Sequence, residues 1–304
     1  MARLHHLPPA EQVCESFVPR RYIDCSIIQY FTARFAYLPE EEWVALIRGG
    51  RVTVNGCPVD PGFILREHDH IVTHLGKRQE PPANREIDIL YEDRHLRVFN
   101  KAAPIPVHPC GRYYKNSMTE LLKELYPEEV PRPVQRLDAA TTGALVFAKS
   151  KKAATFLMYE FAGCRVIKEY LAVVEGIPKK KRFVVNAAIG KINGSKRGSG
   201  CRVAAPKQAT TEFQWLNSLG TRSLLRAIPR SGRTNQIRVH LSSVGLPIVN
   251  DPVYGQGSPE KPAVDFGLHA HRLWFRWFGG AMEIVAPWPG HFRPYMETQT
   301  STLL

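Results

Sequence analysis

Residues 77–86, KRQEPPANRE, are polar throughout and carry the pair Pro81-Pro82. Such a stretch has little to bury, and its prolines cannot continue a helix or a central strand, so it reads as a linker. It divides 304 residues, too many for one average domain, into a small unit over 20–76 and a larger one over 87–304. Residues 1–19, with Pro8, Pro9 and Pro19, read as a loose arm. The fold is therefore expected to contain two cores.

Local pattern fills in the small unit. Ile27, Ile28, Phe31 and Phe35 recur at helical spacing. Pro39-Glu40-Glu41-Glu42 suits a helix start, because Pro fits the first turn and acids favour its positive end. Trp43, Leu46 and Ile47 continue that helix and Gly49-Gly50 end it. Arg51 to Val54 alternates like a strand, Asn55-Gly56 predicts a tight hairpin, and His70-Ile71-Val72 predicts a further strand. Arg48 at the helix end and Arg51 past the glycines are placed to meet one phosphate track; a solvated helix end is the plainer alternative.

The larger unit reads as mixed. Residues 89–101 predict two short strands around a turn, 144–148 a buried strand, 168–175 a strand, and 268–278 with 281–286 a closing hairpin. Helices are predicted over 116–125, capped by Ser117 with Met118, Leu121, Leu122 and Leu125 on one face, over 151–162, and over 235–244. Residues 179–202 form a long Lys/Arg/Gly/Ser stretch expected to lie exposed.

Charge narrows the partners. Lys plus Arg number 41 against 28 Asp plus Glu, giving a formal charge of +13. A polyanion is the expected partner, nucleic acid first. No basic amphipathic helix with an aromatic face points to a membrane surface. No apolar run approaches the roughly 18 residues a span needs, and the N-terminus shows no apolar signal core. The six cysteines lack CxxC spacing and do not look like a disulfide framework. Two histidine pairs, His68/His70 and His269/His271, are too few ligands for a metal site. A cytoplasmic, reduced, metal-free monomer is expected.

One turn invites chemistry. In VPRPVQRLDAATTGALVFAKS, residues 130–150, the only acid is Asp138. A lone loop Asp is ordinarily a turn former. Here Arg136 is close, Ala139, Ala140 and Gly143 leave room for a ligand, and an apolar strand gives a rigid base. Tyr170 falls in an alternating strand, where a core aromatic is the common case. RSGRTNQIRVHL, residues 230–241, puts Arg233 on a turn after Gly232 and Arg238 on a helix, which by charge pattern alone reads as a solvated basic helix.

Taken in order, these segments resemble the RluA family of RNA pseudouridine synthases. The family's R-L-D-x-x-T-S-G corresponds to Arg136 through Gly143, its K-x-Y-L-A-x-V-x-G to Lys168 through Gly176, and its G-R-T-x-Q-I-R-V-H-L to Gly232 through Leu241. Asn100-Lys101 with Pro106-Val107-His108-Pro109, then Asp251, Tyr254-Gly255 and Leu268-His269-Ala270, fit further segments. Most of residues 20–73 resembles the small alpha-L RNA-binding domain, through Arg48, Gly50-Arg51-Val52, Val54-Asn55-Gly56, Asp69 and Ile71. The resemblance implies an α+β fold: a mostly antiparallel curved sheet with flanking helices and a central cleft, preceded by a small RNA-binding domain. It implies isomerisation of uridine to pseudouridine in rRNA or tRNA with no cofactor. Asp138 is expected to act on the ribose, Arg233 to keep it ionised, and Tyr170 to stack on the flipped base. Arg136, Lys168, Arg238 and Lys101, with Arg48 and Arg51, are the expected RNA contacts.

Overall fold

Strand β1, Ala10–Phe17, occupies the segment expected to be a loose arm. It pairs antiparallel along the whole of β4, His70–Arg78, so β4 continues into the expected linker. The computed structural model describes residues 3–193, 196–200, 203–257 and 265–297. The chain forms two units, one of residues 6–81 and 109–115, the other of residues 1–5, 82–108 and 116–304. The return of 109–115 to the small unit is not visible in sequence. Its cause is local: the Tyr114 and Lys115 amides donate to the Glu80 carboxylate at 2.7 and 2.8 Å.

Between those strands the small unit runs through α1 (Ile27–Arg34), α2 (Glu40–Arg48), β2 (Val52–Val54) and β3 (Cys57–Pro58). Its sheet has the order β1-β4-β2-β3. Ser26 and Gln29 cap α1 reciprocally, satisfying two amides at its start. Trp43 stacks on Phe31 with ring centroids 4.3 Å apart, which fixes α2 against α1. Asn55 and Gly56 both take positive φ, 51° and 83°, as a tight hairpin requires.

The larger unit is organised by a ten-stranded sheet. In chain order its elements are β5 (Ile89–Glu92), β6 (Leu96–Lys101), α3 (Met118–Leu125), β7 (Arg132–Pro133), β8 (Thr142–Ala148), α4 (Lys151–Ala162) and β9 (Ile167–Glu175). They continue through β10 (Arg182–Asn186), β11 (Ile189–Asn193), β12 (Lys196–Ser199), β13 (Ala204–Lys207), β14 (Thr210–Leu219) and β15 (Arg222–Pro229). Last come α5 (Gln236–Ser243), β16 (Leu268–Trp277), β17 (Gly280–Val285) and α6 (Pro294–Glu297). The main path is β10-β14-β15-β9-β16-β8-β6-β5, with β17 on β16 and β7 on β8. Among the described residues only β16 and β8 pair in parallel, at His269–Thr142 and Ala270–Gly143. Among the described residues no helix is long and apolar enough to cross a membrane.

Two expectations change here. The basic stretch 179–202 is not simply exposed chain: β11 joins β12 and β13 in a separate three-stranded sheet, and β10 edges the main one. Residues 194–195 and 201–202 of that stretch lie outside the described residues. On α3, Leu125 is 50% exposed, because the helix ends there and the apolar face stops at Leu122.

The parallel junction needs one glycine. Gly143 has φ +107°, and a Cβ there would lie 2.2 Å from the Ala270 carbonyl oxygen. Backbone on a neighbouring strand cannot yield, so Gly143→Ala is expected to destabilise the larger unit by roughly 3 kcal/mol or more. An unchanged thermal unfolding midpoint would count against this close approach.

Candidate active site

Asp138 sits in the turn between β7 and β8, where the Thr141 amide donates to its carbonyl and closes the bend. Two strands from β8, on β9, Tyr170 pairs with Ala270 of β16, whose other neighbour is Gly143 of β8. The sheet therefore fixes both residues to one rigid platform. They line a cavity of about 400 Å³ together with Arg136, Lys168 and the 231–238 segment. Phe161 and the exposed Met158, near the end of α4, give that cavity an apolar side.

The arginine that holds Asp138 is Arg238. Its Nη1 donates to Asp138 Oδ2 at 2.7 Å, while Nε and Nη2 each reach one oxygen of Asp251 at 2.8 Å. Burial works against the Arg238 charge, but the bonds to Asp251 and the charge of Asp138 outweigh it and hold the guanidinium above its ordinary pKa. Arg233, expected in this role, is exposed; its Nε donates to the Gln208 carbonyl at 3.2 Å. The expectation erred because α5 is not a solvated basic helix. Gln236 to Leu241 are all buried on it, so Arg238 points inward to a fully buried acid 13 residues downstream.

The turn before α5 is built around Gln236. Its Oε1 accepts from Ser231 Oγ at 2.6 Å and from the Arg233 amide at 3.0 Å. Its Nε2 donates to the Thr210 carbonyl and Thr211 Oγ1, both at 3.0 Å. Every polar group of the amide is used, which fixes the loop that carries Arg233 to Asn235 against β14.

Three expected RNA contacts are spent inside the protein. Lys101 is 1% exposed, and its Nζ donates to the carbonyls of Ala102, Ile105 and Ala139 at 2.8, 2.8 and 3.0 Å. Burial pushes it down to about 7, with Asp138 opposing; three acceptors around one nitrogen favour the charged form, which alone has three hydrogens. Lys101 thus pins the residue next to Asp138. Lys168 is buried and donates to the Ser231 carbonyl at 3.1 Å, and burial lowers its pKa. Arg238 is committed to the two acids. Arg136, Arg48 and Arg51 remain exposed; Arg51 lies 3.5 Å from Glu11 of β1, an exposed pair worth little.

Burial raises the Tyr170 phenol, and the Asp138 charge adds to the rise, so the ring is neutral at working pH. His269 on β16 is almost fully buried, and its Nδ1 meets Thr142 Oγ1 at 2.8 Å. Burial and then the neighbouring His271 push it down to about 3, so it serves as a neutral brace for the start of β8. The site thus presents a carboxylate held by a buried cation, faced by a neutral aromatic ring in a partly apolar cavity. Such a pair suits chemistry on the sugar of a nucleotide whose base stacks on the ring.

Residues 95–243 match the family model for RNA pseudouridylate synthase. An uncharacterised RNA pseudouridine synthase of Chlorobaculum parvum is 33% identical over 250 residues, covering 77% of this chain and 76% of that protein. A Saccharomyces cerevisiae protein named tRNA pseudouridine(32) synthase, mitochondrial, is 32% identical over 303 residues, covering 93% of this chain and 65% of its own. The solved structure of human RNA pseudouridylate synthase domain containing 1 superposes with a TM-score of 0.59 at 28% identity, covering 69% of this chain and 86% of that one. The chain spans between 43% and 65% of the length of five curated relatives that it matches.

Proposed function

The chain belongs to the RNA pseudouridine synthase family, and on that premise we propose that it isomerises uridine in a structured RNA to pseudouridine, with Asp138 acting on the ribose of a flipped-out nucleotide. The observation that carries the reading is the Asp138–Arg238–Asp251 cluster at the wall of a cavity faced by Tyr170.

The reaction breaks the bond between N1 of uracil and the sugar, turns the base, and joins C5 to the same sugar carbon. The C5 proton is lost and N1 gains one, so no external atom or electron is required. Asp138 attacks the sugar carbon as a nucleophile or removes a sugar proton; both demand an ionised carboxylate, which Arg238 supports. Unstacking the base costs a few kcal/mol, and stacking on Tyr170 returns roughly 1–3 kcal/mol of it. A phenol raised by burial is a poor base for the C5 proton, which favours stacking as its role. Exposed Arg136 beside the cavity is placed to fill the gap in the RNA stack, and Arg48 and Arg51 of the small unit to hold phosphates.

Tyr170→Phe is accordingly expected to keep turnover within about tenfold of wild type, whereas Tyr170→Leu loses most of it. Phe as inactive as Leu would transfer the role to the hydroxyl. The test of the function itself is pseudouridine mapping in RNA from cells with and without the gene, followed by assay of the purified protein. The name of the yeast relative makes tRNA the first RNA to assay, with rRNA second; cytoplasmic pools come first and organellar tRNA next. Release of free uracil would indicate a hydrolase, and RNA binding without any product would indicate a binding protein.

A further inference from the structure

Asn235 stands at the N-terminal boundary of α5 in the left-handed region, φ 57° and ψ 23°, and its side chain does not cap the helix. Its amide lies instead between two other groups. One end is 3.0 Å from Asp138 Oδ2 and 3.3 Å from Oδ1; the other is 3.0 Å from Tyr254 Oη.

The direction of this chain is favoured by the chemistry at both of its ends. The Arg197 backbone amide, on β12, reaches Tyr254 Oη at 2.9 Å. A backbone N–H can only donate, so the phenol accepts there and its own proton is free to go to Asn235. With the Asn235 oxygen facing Tyr254, its nitrogen faces the carboxylate and both ends of the amide are satisfied, at the loss of one long contact of 3.3 Å from Arg238 Nη1 to the amide oxygen. The opposite orientation would set an amide oxygen against two carboxylate oxygens.

We propose that Asn235 is a positioning residue for the reaction, a neutral donor to Asp138 whose orientation is set by Tyr254. This rests on the function proposed above. Asp138 then has two supports, the charged one through Arg238 and Asp251, and the neutral one through Asn235, Tyr254 and the Arg197 amide. Both approach Oδ2 more closely than Oδ1, which leaves Oδ1 as the oxygen presented to the sugar. The supports also lock each other. The Tyr254 amide donates to Asp251 Oδ1 at 3.0 Å, and the Tyr254 ring lies beneath the Arg238 guanidinium, 5.0 Å from its centroid.

Other titratable groups face Asp138 as well: charged Arg238 from α5 with Asp251 behind it, Lys101 from β6, and neutral Tyr170 from β9. Arg136, Lys168 and Arg233 line the same cavity, and neutral His269 braces Thr142 from β16. Removing the neutral donor leaves all of these groups in place, and Tyr254→Phe separates the amide from the rest of the cluster.

The experiment compares Asn235→Gly, Asn235→Asp and Tyr254→Phe. Glycine is chosen because it tolerates the left-handed backbone. Asn235→Gly is expected to lower kcat by roughly 10- to 100-fold with KM for RNA within about twofold. The acid limb of its rate profile should move up, because the ionised carboxylate has lost a donor. Asn235→Asp puts a second carboxylate beside the first and should move that limb further. Tyr254→Phe frees the amide to turn and should fall between wild type and Asn235→Gly. A drop in rate with an unmoved acid limb, or an unchanged kcat, overturns the proposal. The same variants are titrated without RNA by carbon-13 NMR of the Asp138 carboxyl group. The midpoint should rise in Asn235→Gly and most in Asn235→Asp; an unmoved midpoint overturns the proposal even if the wild type forms no pseudouridine. A wild type without product overturns the proposed function instead.

Discussion

Asp138→Asn is expected to abolish pseudouridine formation, by on the order of 10⁴-fold or more, while the protein stays folded and binds RNA at least as well as before. The separation follows from the wiring of the cluster. Asn keeps the shape but is neither nucleophile nor base. Arg238 meets a neutral amide in place of one carboxylate yet keeps both oxygens of Asp251 at 2.8 Å, so no buried cation is left unpaired. On the proposed function, phosphate contacts fall to Lys and Arg elsewhere, and the substitution takes one negative charge from the cavity expected to receive a polyanion. Pseudouridine formation and an RNA binding curve at one fixed salt concentration check both halves. Normal turnover would remove Asp138 from the reaction; weakened binding would place it among the RNA contacts.

Arg238→Met is expected to be the most damaging change in the cluster, because it fails in two ways. Asp251 is 0% exposed, and without Arg238 it retains only the amides of Val253 and Tyr254. Breaking a buried pair by removing one partner costs about 3–5 kcal/mol, visible as a fall in the unfolding midpoint. Asp138 loses its orienting cation at the same time, and kcat should fall on the order of 10³-fold in the fraction that folds. Arg238→Lys separates these effects. It retains the charge and much of the stability, but a point charge cannot serve Asp138 and both Asp251 oxygens together. Its kcat should therefore stay well below wild type. Arg233→Ala is the control: its side chain touches the Gln208 carbonyl and not Asp138, so loss within about tenfold, mostly in KM, is expected. An inactive Arg233→Ala beside an active Arg238→Lys would reverse the assignment.

That reversal marks the limit of reading along the chain. Arg233 and Arg238 occur in one short basic segment, and both follow the family pattern. Nothing in their spacing says which turns inward. The deciding partner, Asp251, is remote in sequence, and its burial against α5 is a property of the packed unit. Lys101 makes the same point from the opposite side. A lysine in a basic protein reads as a phosphate contact, yet here three backbone carbonyls from two loops converge on it. Asn235, Tyr254 and Gln236 carried no charge signal at all, and their roles appear only once β12, α5 and the turn of Asp138 are brought together.

What the sequence determined by itself is what depends on short-range chemistry. Asn55-Gly56 specified its hairpin and the apolar spacing after Ser117 placed α3, although the Ser117 side chain makes no capping bond; Gly143, expected to leave room for a ligand, instead admits the Ala270 backbone. The run of matched motifs fixed Asp138 and Tyr170 as partners, because a motif records the outcome of packing without displaying it. Tertiary structure decided the rest: that residues 10–17 complete a sheet, that 109–115 return to the small unit, and that the basic stretch after β9 folds into strands. It also decided which arginine is buried. Strand pairing and the burial of charge are settled between residues far apart in the chain, where hydrogen-bond partners and desolvation, not local propensity, set the free energy.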